Sequence, residues 1–220
     1  MSACFDKVAI VYGVLEKTLF GSKLQEMRCR YLNRIENSKE ILLVGEGCGF
    51  FLIKLLEVNS EAMITVVEPS KNMIRQAESK VPHKDRKRVA FCNVALGQFS
   101  STEKFDAICT FFFWDCFREN QMKAMFPILL DFLRHDGSLI NVDFAEPSSF
   151  EGRRYKISHF ILLRILYGFF GLATGIESTR VLEIEPIAWE NGLFTKDTHE
   201  DEKLPFRGHV FRRRFVQNES

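Results

Sequence analysis

The chain has 220 residues, 46% hydrophobic and 27% charged, with a formal net charge of +1. That length suits one large α/β domain with a substantial core, or two small domains. The near-neutral charge gives no overall drive toward nucleic acid or anionic membranes, and the composition is that of an ordinary globular protein.

Phenylalanine is over-used, with 22 residues, which suits either aromatic-lined pockets or a Phe-rich core. The six cysteines stand at positions 4, 29, 48, 92, 109 and 116. None forms a CxxC pair and no His cluster accompanies them. Scattered reduced thiols are therefore expected, rather than a disulfide framework or a metal site. The opening "MSACFDKVAIVYG" has an early acidic residue and lacks a secretory apolar run, so the expected location is the cytoplasm.

In chain order, residues 1–38 read as two helices placed ahead of the first strand. "EILLV" (40–44) reads as a buried strand and "FFLIKLLEV" (50–58) as a helix. "AMITVVE" (62–68) is a second strand and "SKNMIRQAESK" (70–80) a second helix. Strands three and four are "RVAFCNV" (88–94) and "FDAICTFFF" (105–113), with a helix over about 119–134 and a fifth strand "GSLINVDF" (137–144). Strand runs alternating with helical runs imply parallel strands joined by crossover helices. Their continuous apolar character fits strands covered on both faces. The segments "GLFTKDTHED" and "GHVFRRRFV" have no helix between them and read as an antiparallel hairpin at one edge of the sheet.

Two further stretches need a reading. "FILLRILYGFFGLA" (160–173) runs 14 residues and contains Arg164, whereas a spanning helix needs ~20. It lies in an apolar helical insertion over 146–180. That insertion is read as a cover for a lipophilic substrate, a peripheral membrane contact, a homodimer interface, or an ordinary core helix. His159, near its start, reads as structural. "FRRRF" reads as a solvated strand face, since adjacent arginines point to both sides.

The glycine turn "VGEGCGF" follows the first strand and opens the first helix of the alternating pattern. Ligands bind beyond the carboxyl ends of strands in doubly wound sheets, and free N–H groups at a helix start favour negative charge. A dinucleotide fingerprint needs GxGxxG. Here the spacing is GxGxG, with Phe50 where the third glycine would stand. Glu68, at the end of strand two, is placed to accept hydrogen bonds from ribose hydroxyls, as in both NAD and nucleoside-type sites.

Over roughly residues 38–145 the chain resembles the class I S-adenosylmethionine-dependent methyltransferases. "LLVGEGCG" looks like their glycine-rich first motif and "VVEPS" like their second. "FDAICTFFFWDCF" looks like strand four and its loop, and "LRHDGSLINVDF" like the following turn and strand. The resemblance implies an α/β fold of the Rossmann-like, doubly wound kind. It would have a mostly parallel seven-stranded sheet, an antiparallel closing strand and helices on both faces. It implies one domain: a helical lid (1–38), a cofactor-binding core (39–145), the insertion (146–180), and a C-terminal helix with the closing hairpin (181–220).

S-adenosylmethionine is the implied cofactor. Gly45, Glu46, Gly47 and Gly49 would surround it, with Glu68, Pro69, Ser70 and Met73 on the ribose side. Val94, Ala95 and Leu96 would lie beside the adenine, and Phe111 and Phe112 beside the sulfonium. Two positions depart from the family pattern. Leu43 replaces a frequent acid, whose charge Glu46 would supply near the cofactor's ammonium, and "NVALG" lacks the acid after strand three.

Asp115 is the candidate catalytic base or substrate anchor, and equally a candidate N-cap of the next helix. Tyr12 is a second catalytic candidate, facing the cofactor from the lid, or else part of an ordinary packed helix. Trp114 and Phe117 would wall the substrate. The loop lacks the Asp/Asn-Pro-Pro-aromatic and Pro-Cys signatures of nucleic-acid methylases, so a small molecule, apolar or aromatic, is the expected substrate and nucleic acid is not an expected partner. The alternative is a non-catalytic regulatory protein on the same fold.

Overall fold

A computed structural model describes residues 22–145, 182–201 and 205–214. Helix α1 spans Lys23–Cys29. It is followed by β1 (Glu40–Val44), α2 (Phe50–Val58), β2 (Met63–Val67), α3 (Lys71–Lys80) and β3 (Val89–Cys92). Next come β4 (Phe105–Phe111), α4 (Glu119–Asp131), β5 (Leu133–Phe144), α5 (Ile184–Glu190), β6 (Leu193–Glu200) and β7 (Phe206–Arg213). These strands form one seven-stranded sheet in the order β3-β2-β1-β4-β5-β7-β6. The pairs from β3 to β5 are parallel. Strand β7 runs antiparallel to both β5 and β6. The expected closing hairpin is therefore present.

The central strand β1 is apolar throughout because both of its faces are covered. Ile41 and Leu43 pack with α1 and α2 in one cluster that includes Met27, Phe51 and Leu55. Leu42 and Val44 pack on the other face with Met122, Phe126 and Leu129 of α4 and Ile184 and Ile187 of α5. Alternate side chains of one strand thus feed two helical layers.

The sheet also corrects two expected boundaries. Strand β5 begins at Leu133, inside the expected 119–134 helix, because β4 claims that end of the chain: Phe105 N–H donates to the Phe132 carbonyl at 2.8 Å and Leu133 pairs with Phe105 ahead of a register shift. Strand β4 stops at Phe111, two residues early, because Phe112 takes a left-handed conformation with φ 52°. The three adjacent arginines do not simply face water. Arg213 reaches the Leu130 carbonyl at 2.6 Å, Arg214 the Trp189 carbonyl at 2.7 Å, and Arg212 the Ser138 hydroxyl at 3.2 Å.

Tyr12, His159 and the whole of the 146–180 insertion lie outside the described residues. Among the described residues no helix is long and apolar enough to cross a membrane.

Candidate active site

The sheet order reverses between β1 and β4, so the crevice beyond their carboxyl ends is the expected ligand position. A cavity opens there. Gly45, Glu46, Gly47 and Cys48 line it from the turn after β1, and Glu68, Pro69 and Met73 from beyond β2. Phe111, Phe112, Phe113, Cys116 and Phe117 line it from β4 and its loop, with Arg28 from α1 and Phe50 at the start of α2. The cavity thus joins a polar floor to an aromatic wall.

The floor is built from backbone donors and two acids, Glu68 buried and Glu46 half-buried. Glu68 is 4% exposed. Its two oxygens accept the N–H of Gly47 at 3.1 Å and of Ser70 at 2.8 Å. The carboxylate therefore ties the glycine turn to the start of α3 and still lines the cavity. Asn93 fixes the backbone behind it, donating to the carbonyls of Glu68 and Pro69 at 3.1 and 2.9 Å. Ser70 caps α3 by accepting the Met73 N–H at 3.2 Å.

Gly45 and Gly47 have positive φ, 69° and 66°, a conformation costly for side-chain-bearing residues. A β-carbon on Gly47 would find only Met73 Sδ, at 3.7 Å. The space beside that backbone is open to a ligand.

Glu46 does more than line the cavity. Its Oε1 accepts the N–H groups of Phe51 and Leu52, both at 2.9 Å, which satisfies the otherwise unpartnered start of α2. Glu46, expected to carry charge toward the cofactor's ammonium, thus commits one carboxylate oxygen to the helix start. Leu43 is buried beneath α2.

The aromatic wall follows from the turn at Phe112. The Phe113 ring lies against Gly45, where a β-carbon would stand 2.6 Å from its Cδ2. Phe113 and Phe117 ring centroids are 4.9 Å apart. Trp114, expected as a substrate wall, points away: it is 1% exposed and packs against Phe126 in the core. Asp115 does not cap α4, whose N-cap is Arg118. It sits in a short 3₁₀ turn, Trp114–Cys116, half-buried, with the Cys116 thiol 3.5 Å from its Oδ1. Burial pushes its carboxyl up to about 6, against the opposing pull of its hydrogen bonds and of Arg28.

Val94, Ala95 and Leu96 do not line this cavity. Ala95 is exposed and Leu96 is buried in the core cluster under α4. Arg28 and the buried acid Asp143 were not expected in or beside the site, and Cys48 and Phe113, within the expected turn and loop, were not singled out. Arg28 carried no motif. Only its place on a helix ahead of β1, in the segment expected to act as a lid, could have suggested it. Its guanidinium lies 5.1 Å from the Phe112 ring centroid. Among the described residues no cluster of His, Cys, Asp and Glu is arranged to hold a metal ion.

The strand order, the antiparallel β7, the glycine turn and the buried acid after β2 define the Rossmann-like methyltransferase fold. Residues 42–139 match a family model described as a methyltransferase domain. Solved structures agree in fold. Mitomycin 7-O-methyltransferase MmcR superposes with a TM-score of 0.72 at 12% identity, over 94% of this chain and 60% of that one. The N-methyltransferase NodS from Bradyrhizobium japonicum WM9 gives 0.60 at 17% identity, over 87% and 97%. Magnesium protoporphyrin IX methyltransferase ChlM from Synechocystis PCC 6803, solved with S-adenosylhomocysteine, gives 0.61 at 17% identity, over 87% and 82%. The chain thus spans about three fifths of the length of the mitomycin enzyme. No curated protein matches it in sequence. Over residues 42–139 the chain is thus similar to a methyltransferase domain, and it shares the Rossmann-like fold of these S-adenosylmethionine-dependent enzymes.

Proposed function

We propose that the protein transfers a methyl group from S-adenosylmethionine to a small apolar or aromatic molecule. The observation that carries this is the buried Glu68 beside an open Gly47 backbone, facing an aromatic wall across one cavity. The residues present fit the cofactor. Glu68 would accept the ribose hydroxyls, with Pro69, Ser70 and Met73 around it. The Gly45–Gly47 backbone would border the methionine moiety. Arg28 and Glu46 would face its carboxylate and ammonium.

The bound cofactor supplies an electrophilic methyl on a sulfonium. The chain's own task is alignment and exclusion of water. Phe111, Phe112, Phe113 and Phe117 provide the dry wall and fit an apolar acceptor. Asp115, with its proton affinity raised by burial, is suited to take a proton from a neutral nucleophile. Two of the similar structures are named for methylation of mitomycin and of magnesium protoporphyrin IX, which supports a small-molecule acceptor.

The test is a transfer assay with methyl-labelled cofactor across apolar phenols, quinones and lipids. Label in one such acceptor, lost in Gly47→Arg, supports the reading. Cofactor binding without transfer to any acceptor favours a regulatory protein on the same fold.

A further inference from the structure

We propose that Asp143 is the positioning residue of the aromatic wall: from its fixed place in the sheet it holds the Trp114–Cys116 turn, and so sets Phe113 and Phe117 over the glycine turn. Asp143 lies on β5 and is 7% exposed. Its Oδ2 accepts the Trp114 N–H at 3.1 Å, and its Oδ1 the N–H of Phe144 at 3.3 Å. The Asp115 backbone also bonds to it. The first N–H groups of a helical turn lack partners of their own, and here a carboxyl from another strand supplies one.

The need for such an anchor comes from Phe112. Its N–H donates to the Val142 carbonyl at 2.7 Å, yet its φ of 52° is one that bulky residues avoid. A strained conformation persists only where its surroundings over-determine it. The Val142 carbonyl on one side and Asp143 on the other do so. From this anchored turn Phe113 packs on Gly45, and Cys116 and Phe117 line the cavity.

The charges around Asp143 come from several elements. Asp115 and Cys116 face it from the turn it holds. Arg207 of β7 is its register partner. His209 of β7, Glu183 and Glu185 share a small cavity with it. Arg28 of α1 acts on neighbouring Asp115. Burial first, and the Asp115 charge second, hold the Asp143 carboxyl well above the ordinary range. Two buried carboxyls so placed do not ionise together easily.

Trp114 is the natural reporter, since the chain has only two tryptophans and the other, Trp189, is 59% exposed. In a Trp189→Phe protein, Trp114 emission should show a pH transition above the ordinary carboxyl range. Asp143→Asn should abolish it, while Asp115→Asn should move it to lower pH without removing it. The Asp143→Asn protein should also bind S-adenosylhomocysteine about tenfold more weakly, with partial recovery in Asp143→Glu, the scale of one lost hydrogen bond. A transition that survives Asp143→Asn, or unchanged affinity in that protein, overturns the proposal. If Asp143→Asn does not fold, a Trp189→Phe protein with no transition, or one abolished by Asp115→Asn, overturns it as well. The affinity arm rests on the methyl-transfer reading. Failure of the wild-type protein to bind the ligand would sink that reading and leave the Trp114 titration to decide on Asp143.

Discussion

Gly49 backs onto Ala77: a β-carbon on Gly49 would stand 2.7 Å from the Ala77 β-carbon and 2.9 Å from its α-carbon. The third glycine of the turn therefore serves the packing of α2 against α3, whereas Gly47 borders open space.

The two glycines should fail differently. Gly49→Ala combines a positive φ of 81° with overpacking against backbone, for a loss of about 2–4 kcal/mol of stability. Gly47→Ala should cost about 1 kcal/mol, for its backbone conformation alone. Gly47→Arg should keep a cooperative unfolding transition and lose cofactor binding, because its side chain fills the cavity. Urea denaturation with ligand titration separates these outcomes. Wild-type stability in Gly49→Ala would refute the packing role.

Glu68 joins two backbone segments and faces the cavity, so its loss should be felt in both respects. Glu68→Ala should weaken cofactor binding by about 1–3 kcal/mol, and Glu68→Gln, which keeps one acceptor, by less. Calorimetric titration measures both. Undiminished affinity in a folded Glu68→Ala protein would remove this residue from the site.

Tyr31 is buried under Gly208, and its hydroxyl has no hydrogen-bond partner among the described residues. Burial holds its proton affinity up to about 12. Tyr31→Phe should leave stability unchanged or raise it by up to about 1 kcal/mol, since it removes an unsatisfied group. Gly208→Ala should do the opposite, by about 1–3 kcal/mol, because its methyl would enter the Tyr31 ring. Melting temperatures of the two variants on the same side of wild type would contradict this packing.

Stability should depend on pH through two groups of opposite sense. The Asp115 carboxyl rises from 3.8 to about 6 on burial, so its contribution is complete below its unfolded value and is lost as pH rises through about 6. His209 falls from 6.5 to about 4, through burial and then the Arg207 charge. Its contribution is complete above its unfolded value and is lost as pH falls through about 4. Relative to wild type, Asp115→Asn should gain stability toward neutral pH and His209→Gln toward acid. Chemical denaturation across this window reads both slopes. Parallel curves for either variant would show that its group does not titrate on folding.

The alternation of apolar strands and helices, together with the closing hairpin, made the sheet legible in the sequence, since both faces of β1 must be buried. The glycine turn and Glu68 were legible because their chemistry is local: positive φ, a helix start, an acid at a strand end. The aromatic wall was only half legible. Trp114 and Phe117 are both aromatic and three residues apart, yet the turn released by Phe112 sends one to the core and the other to the cavity. Asp143 was hidden within a strand, because its role depends on a turn 29 residues earlier in the chain. Val94, Ala95 and Leu96 were sought by position in a motif, and no periodicity distinguishes a core-facing Leu96 from a ligand-facing one.

The most direct test of the account is calorimetric titration of the purified protein with S-adenosylmethionine and, separately, with NAD. Saturable single-site binding of S-adenosylmethionine is expected, with none of NAD and loss of the signal in a folded Gly47→Arg protein. NAD binding alone, or undiminished S-adenosylmethionine binding by Gly47→Arg, would contradict it.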